Sequence, residues 1–106
     1  MATDWAAHVK KYAPAADDAV IESMLKTYRL VLSKGDSAYV SFSDPAELAT
    51  VRENFLKKKL GLTASDADLD AAIAEVGAAM KDGSKNGRIA VYYLLADKFG
   101  KLGIFK

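Results

Sequence analysis

Three aspartates at every second position are the closest approach to a metal-binding loop in this sequence. Asp66, Asp68 and Asp70 occupy the spacing of the first ligands of a calcium loop. Such a loop needs glycine at its sixth position and a bidentate glutamate at its twelfth, where this chain has Ala71 and Gly77. The acids are better explained as the first turn of a helix, whose dipole favours negative charge there. We therefore predict no metal site.

A glycine-bearing stretch over 82–88 that leads into a helix is a candidate anion site. Free amides at a helix start, with Lys85 and Arg88 beside them, could hold a phosphate. The G-K-[ST] order of a P-loop is absent, so a short capped connection between helices is the alternative. Lys98 and Lys101 could extend the cationic zone. We therefore treat Lys85, Arg88, Lys98 and Lys101 as a speculative anion or partner surface, which requires these side chains to converge on one face.

The composition offers little for catalysis. The chain has no cysteine, which excludes a disulfide framework, a thiolate zinc site and a cysteine nucleophile. His8 is its one histidine, and no G-x-S-x-G motif is present. Nothing in the sequence places two of its 14 acidic residues across a cleft. We expect no catalytic residue, no cofactor and no enzymatic activity.

Charge is balanced overall but unevenly distributed. The net charge is +1, while residues 63–80 carry four acidic and no basic groups and residues 81–106 carry six basic and two acidic groups. An acidic segment followed by a basic one indicates neighbours that attract each other, which is favoured over a basic binding face. The segment 60–63 imitates the turn of a helix-turn-helix, but the acids that follow would repel phosphates, which favours a simple helix hairpin. Lys57, Lys58 and Lys59 are consecutive and cannot form one helix face.

Hydrophobic spacing and capping residues predict about five helices. The first is short, begins after Thr3 or Asp4 and ends at Pro14. The second begins at Asp17 or Asp18 and runs to about Leu32. The third helix runs from Asp44 to Gly61, and Pro45 and Glu47 complete the capping signature at its start. The fourth runs from Ser65 to 82–83. The fifth runs from Ser84 or Asn86 to Phe99, and Gly100 ends it.

The last of these helices is apolar on all sides over 89–96, which predicts a central, buried helix. A buried strand is the alternative, and the length of the pattern favours the helix. Residues 33–43 alternate like a strand but lack a partner, so we expect an extended loop in which Tyr39 and Phe42 plug the core. The short tail 101–106 should fold back through Leu102, Ile104 and Phe105.

The predicted fold is therefore all-α: a compact bundle of about five helices in a single domain, 1–106, around an apolar central C-terminal helix. The predicted core comprises Val20, Met24, Tyr28, Leu48, Val51, Phe55, Leu69, Ile73, Val76, Tyr92, Leu95 and Phe99.

Three segments resemble a family of short bacterial proteins that is known only as domain of unknown function 2853. They are NFLKKKLGL at 54–62, LDAAI at 69–73 and YYLLADKFGK at 92–101. The similarity extends over nearly the whole chain and is best over 44–101, whereas 33–43 departs from the family's pattern. The resemblance implies a small, soluble, mostly helical bacterial protein. It implies no activity, and no functional residue is carried over.

A well-specified helical core without a chemical constellation favours a non-enzymatic protein-interaction module, including self-association. Trp5, Tyr39 and Phe105 could supply an exposed apolar patch. The alternatives are a weak nucleic-acid or anion binder that uses the basic C-terminal quarter, and a small-molecule carrier, which would need an enclosed pocket. No secretory signal is evident, and the longest apolar run, 89–96, is far shorter than the roughly 20 residues of a membrane span, so we expect a cytoplasmic protein.

Overall fold

A computed structural model describes residues 5–32, 39–40, 42, 44–80 and 87–105, with side chains for all of these except residues 5, 6, 31 and 32. Helices make up most of the described chain, as the sequence predicts. In chain order they are α1 (Trp5–Tyr12), α2 (Asp18–Thr27), α3 (Arg29–Leu32), α4 (Pro45–Thr50), a π-helix (Val51–Lys59), α5 (Asp66–Ala79), α6 (Arg88–Lys98) and a 3-10 helix (Leu102–Phe105).

Helix α6 lies at the centre of the packing. It contacts α1, α2, α5 and the 3-10 helix, and nearly all of its side chains from Arg88 to Ala96 are buried. The predicted helix is thereby confirmed over the strand alternative. It begins after Gly87 and is followed by Gly100, whose φ of 67° is the left-handed conformation that favours glycine. The predicted starts at Ser84 or Asn86 lie outside the described residues.

One hydrophobic cluster joins these elements from Val9 to Phe105. Nine of the predicted core residues are buried in it, and Tyr28, Leu48 and Phe99 are partly buried against it. The nine are Val20, Met24, Val51, Phe55, Leu69, Ile73, Val76, Tyr92 and Leu95.

Side-chain caps fix the start of three helices where the sequence predicts them. The Asp17 carboxylate accepts a hydrogen bond from the Ala19 amide at 2.9 Å at the start of α2. Asp44 accepts from the Ala46 amide at 3.0 Å ahead of α4, and Ser65 accepts from the Asp68 amide at 3.2 Å ahead of α5. Each cap satisfies an amide that has no partner within the helix.

Replacing Asp44 with alanine should lower the free energy of unfolding by about 1 kcal/mol, because the Ala46 amide loses its acceptor. Urea unfolding followed by circular dichroism measures the change. Glu22→Ala, at an exposed position inside α2, is the control and should stay within about 0.5 kcal/mol of wild type. An unchanged midpoint for Asp44→Ala would contradict this helix start.

The second predicted helix is interrupted. The sequence predicts one helix to about Leu32, but Tyr28 leaves the helical conformation with φ −107° and ψ 17°, and α3 follows as a separate turn. The Tyr28 ring packs edge-on against Tyr92, with 5.0 Å between ring centroids. The prediction of a continuous helix was wrong, and the break accompanies this aromatic contact rather than any local glycine or proline.

The π-helix explains a hydrophobic pattern that α-helical spacing leaves unresolved. Val51, Phe55, Leu56 and Leu60 are all buried. In an α-helix Val51 and Leu60 would face opposite sides, since nine residues make two and a half turns. Hydrogen bonds that span five residues place between four and five residues in a turn, which brings all four side chains to one face. The segment ends at Gly61, with φ 68°, as predicted.

Two short segments differ in detail from the sequence predictions. Tyr39 forms an isolated antiparallel bridge with Gly87, and Val40 is the buried residue of this stretch, while Phe42 packs partly buried against the core. In the 3-10 helix Phe105 is buried, but Ile104 is 45% exposed, so the prediction that Ile104 folds back was wrong. Among the described residues, no helix is both long and apolar enough to span a bilayer.

Candidate interaction surface

The four basic residues of the predicted surface are not brought together where they are described. Arg88 and Lys98 lie at opposite ends of α6, roughly 15 Å apart along its axis. Arg88 is only 7% exposed, and Lys98 forms an ion pair with Glu75. Lys101 is partly buried beyond the helix, and Lys85 lies outside the described residues.

Among the described residues, three oxygen atoms accept hydrogen bonds from the buried Arg88 side chain. Its Nη2 lies 2.5 Å from Oε1 of Glu47 and donates a longer bond of 3.4 Å to the Tyr39 carbonyl. Its Nη1 donates to the Tyr92 hydroxyl at 2.9 Å. Burial opposes the charge of Arg88, but Tyr92 and Glu47 outweigh it and raise its pKa. The cation therefore stays charged and links α6 to α4 and to the 39–40 segment. The prediction that Arg88 belongs to an exposed anion or partner surface was wrong, because its side chain is buried and paired with Glu47.

Glu47 also differs from its predicted role. The sequence places it as the acid of a capping box, which would reach back to the amide of the N-cap residue. Its carboxylate instead contacts Arg88, 41 positions along the chain. A buried guanidinium without a counter-charge is costly, so this long-range pairing is favoured over a local bond at an exposed helix end.

Stacked aromatic rings fill the interior next to Arg88. Phe55 and Tyr92 lie parallel, with centroids 3.9 Å apart and planes inclined by 9°. Tyr28 and Phe105 pack on Phe55 at 6.3 Å each. Burial raises the pKa of both the Tyr28 and the Tyr92 hydroxyls, so both stay protonated at neutral pH. These rings pack as part of the hydrophobic core.

The exposed aromatic patch expected from the sequence does not form as predicted. Phe105 is only 4% exposed, and the Lys59 ammonium lies 5.3 Å from its ring centroid. Tyr39 is half-buried, and the Trp5 side chain lies outside the described part of the chain. The large apolar side chains that are exposed within that part are Leu30, at 73%, and Ile104.

His8 on α1 forms a hydrogen bond with the residue that precedes α6. Its Nε2 accepts a hydrogen bond from the Gly87 amide at 3.1 Å, and its ring meets Tyr12 edge-on at 5.6 Å. Burial, and secondly the charge of Lys11, lower the pKa of His8. The neutral imidazole therefore prevails at neutral pH, with its acceptor nitrogen engaged.

Two of the three acids that imitate a calcium loop, Asp66 and Asp70, are paired with cations of the preceding π-helix. Arg52 Nη1 donates to both carboxylate oxygens of Asp70 at 3.1 Å, and the Lys57 ammonium lies 2.5 Å from Asp66. Glu53 joins them through Arg52 and Lys57, at 2.8 and 3.0 Å. Within the described ranges no group of acids and histidines is arranged to hold a metal ion. The charge pattern predicts attraction between the acidic segment 63–80 and the basic segment after it, and the Glu75–Lys98 pair joins those two segments. The pairs of Asp66 and Asp70 join the acids to the segment before them instead.

The Arg52–Asp70 ion pair lines one end of a surface groove. The groove measures about 310 Å³ and lies between α4 and α5. Lys57 pairs with Asp66, and Arg52 pairs with Asp70. Residue numbers therefore rise along one helix as they fall along the other, so the two helices run antiparallel. Its lining is apolar apart from the ion pair and comprises Pro45, Leu48, Ala49, Ile73 and Ala74, with Arg52 and Asp70 at the polar end.

Small residues keep this groove open. Ala49 on α4 and Ala74 on α5 both line it, and a methyl side chain is too short to fill the space between the helices. One turn beyond Ala74, the Phe42 ring lies so close to Gly77 that a Cβ there would be 2.8 Å from it. Sequence reasoning identified neither side of the groove, and the alternation of alanine with larger residues on α5 is the one signal that could have suggested it.

Comparison with known proteins gives a family without a described activity. No curated protein matches the chain. A family described as "Protein of unknown function (DUF2853)" matches residues 4–103, which is nearly the whole chain. It is the same family that the sequence segments resemble. On this match, the chain belongs to the DUF2853 family of proteins of unknown function.

Proposed function

We propose that this protein is a non-enzymatic protein-interaction module that holds an apolar segment of its partner in the groove between α4 and α5. The observation that carries the proposal is the groove itself: a mostly apolar lining with a charged pair at one end, partly open to solvent. Interfaces between proteins combine an apolar centre with a polar rim in this way.

The chemistry of the lining indicates the kind of partner. Leu48, Ala49 and Ala74 offer apolar contact to side chains spaced along a helix or an extended segment. Arg52 and Asp70 are exposed enough, at 21% and 50% of their side chains, to exchange hydrogen bonds with a partner's polar groups. A small molecule would need a site that encloses most of its surface, and this groove is open.

The buried basic residue argues against the alternative of a nucleic-acid binder. Phosphate binding depends on several accessible cations on one face. Arg88 faces Glu47 in the interior, and Lys98 is paired with Glu75. The same experiment can separate the two functions, because nuclease removes material that is held through nucleic acid.

The test compares tagged wild-type protein with Ala74→Lys and Ala78→Lys after capture from the native lysate, with and without nuclease. Both positions are exposed on α5, but only Ala74 lines the groove. We expect wild type and Ala78→Lys to retain the same stoichiometric protein after nuclease, and Ala74→Lys to lose at least about nine-tenths of it, a cost of roughly 1.4 kcal/mol. Sedimentation of the purified protein shows whether the partner is a second copy.

Two results would contradict the proposal. Equal retention by both lysine variants would place the partner elsewhere on the surface. Loss of all captured material on nuclease treatment would favour the nucleic-acid alternative.

A further inference from the structure

Three segments of the chain meet at Gly87, immediately before the central helix. Its amide donates to Nε2 of His8 on α1 at 3.1 Å. Its backbone pairs with Tyr39 in an isolated antiparallel bridge, and its carbonyl accepts the amide of Val91 at 3.1 Å in the first turn of α6. Gly87 is buried, while His8 is partly buried, so the bond between them lies at the edge of the protein interior.

We propose that the His8–Gly87 hydrogen bond is a pH-sensitive latch, which fastens α1 to the start of α6 while His8 is neutral and opens when Nε2 takes up a proton. The neutral ring offers one nitrogen as an acceptor, and the protonated ring has a donor at both nitrogens. Protonation therefore replaces an attractive contact with two N–H groups that point at each other.

The surroundings of His8 oppose its charge from more than one element. On α1, Lys11 contributes a like charge, and the Tyr12 ring packs at about a right angle to the imidazole and helps to bury it. From α6, the imidazole faces the N-terminal end of the helix, where the dipole is positive. Arg88, the next residue, adds a buried cation that is directed at Glu47. On α2, the Asp18 carboxylate is paired with Lys10.

The direction of the pH effect follows from these neighbours. Burial and Lys11 lower the pKa of His8 in the folded protein, so the unfolded chain takes up this proton first as the pH falls. The contribution of the latch to stability is therefore full above the usual histidine pKa of about 6.5 and is lost progressively below it.

Hydrogen exchange at single amides tests the latch in the intact protein. The Gly87 amide is compared with the Asp17 amide, which donates to the Tyr93 hydroxyl at 2.9 Å in a similar contact between elements without a histidine. Their ratio cancels the general pH dependence of exchange. Between pH 7.5 and 5.0 we expect the exchange rate of Gly87 relative to that of Asp17 to rise about fivefold to tenfold, which is the factor for the loss of one hydrogen bond. The rise should follow the change in the ¹⁵N chemical shifts of the His8 ring.

The variant His8→Gln keeps an acceptor that does not titrate in this range. It should show slow Gly87 exchange with no step between pH 7.5 and 5.0. A ratio that stays flat in wild type while His8 titrates would overturn the proposal. An equal step in wild type and in His8→Gln would overturn it as well, because the step would then belong to another group.

Discussion

Replacing Arg88 with methionine should lower the free energy of unfolding by about 3 kcal/mol, the low end of the range for a buried ion pair that loses one partner. Methionine keeps the apolar stem of the side chain but leaves the Glu47 carboxylate without its cation and the Tyr92 hydroxyl without its donor. The low end applies because a quarter of the Glu47 side chain remains exposed to water. Urea unfolding measures the difference.

A double-mutant cycle separates the ion pair from simple loss of packing. Glu47→Gln alone should also destabilise, and Arg88→Met combined with Glu47→Gln should cost at least about 1 kcal/mol less than the sum of the two single changes. Lys98→Met, at the exposed end of the same helix, is the matched control and should change stability by less than about 0.5 kcal/mol. A cost for Arg88→Met as small as that of the control would mean that Arg88 faces water.

Replacing Phe55 with alanine should cost about 4 kcal/mol, the largest effect that we expect from a single change. The side chain is 1% exposed, and its ring stacks on Tyr92 at 3.9 Å. Its removal loses the buried area, leaves a cavity and breaks an aromatic pair that holds the π-helix against α6. Thermal and urea unfolding should both report the loss.

The matched control is Phe99→Ala, because Phe99 is also a phenylalanine but is only partly buried at the end of α6. It should cost clearly less than Phe55→Ala. Equal costs for the two variants would contradict the placement of the Phe55–Tyr92 stack at the centre of the core.

Helix positions were predictable from the sequence because their signals are local. Asp17, Asp44 and Ser65 each accept the hydrogen bond that their position predicts, and Gly61 and Gly100 adopt the left-handed conformation at the predicted stops. Caps depend on a few consecutive residues, so they can be identified without knowledge of the rest of the fold.

The π-helix could not be predicted in the same way. At α-helical spacing, Phe55 with either Leu56 or Leu60 can complete the buried face, and the sequence leaves that choice open. All of them are buried because the segment widens to hydrogen bonds over five residues, such as the bond from the Leu60 amide to the Phe55 carbonyl at 2.9 Å. The widened turn lets these side chains pack against α5 and α6. Contacts between such distant segments cannot be identified from a few consecutive residues.

The candidate site was predictable only in part. Attraction between the acidic segment 63–80 and the basic segment after it follows from the charge pattern, and Glu75–Lys98 is its result. The pairs Arg52–Asp70 and Lys57–Asp66 join α5 to the segment before it, which the charge pattern does not single out. The position of Arg88 does not follow, because its counter-charge Glu47 is 41 residues away. The groove depends on which small residues face each other across two helices, which becomes visible only in the folded chain.

Hydrogen exchange of the protein alone and in complex with its captured partner tests the proposed interaction site most directly. We expect slower exchange in the complex along α4 and α5, centred on the turns that carry Ala49 and Ala74, with little change at the C-terminal end of α6. Slower exchange confined to the region of Lys98 and Lys101, with α4 and α5 unchanged, would contradict a groove-mediated interaction.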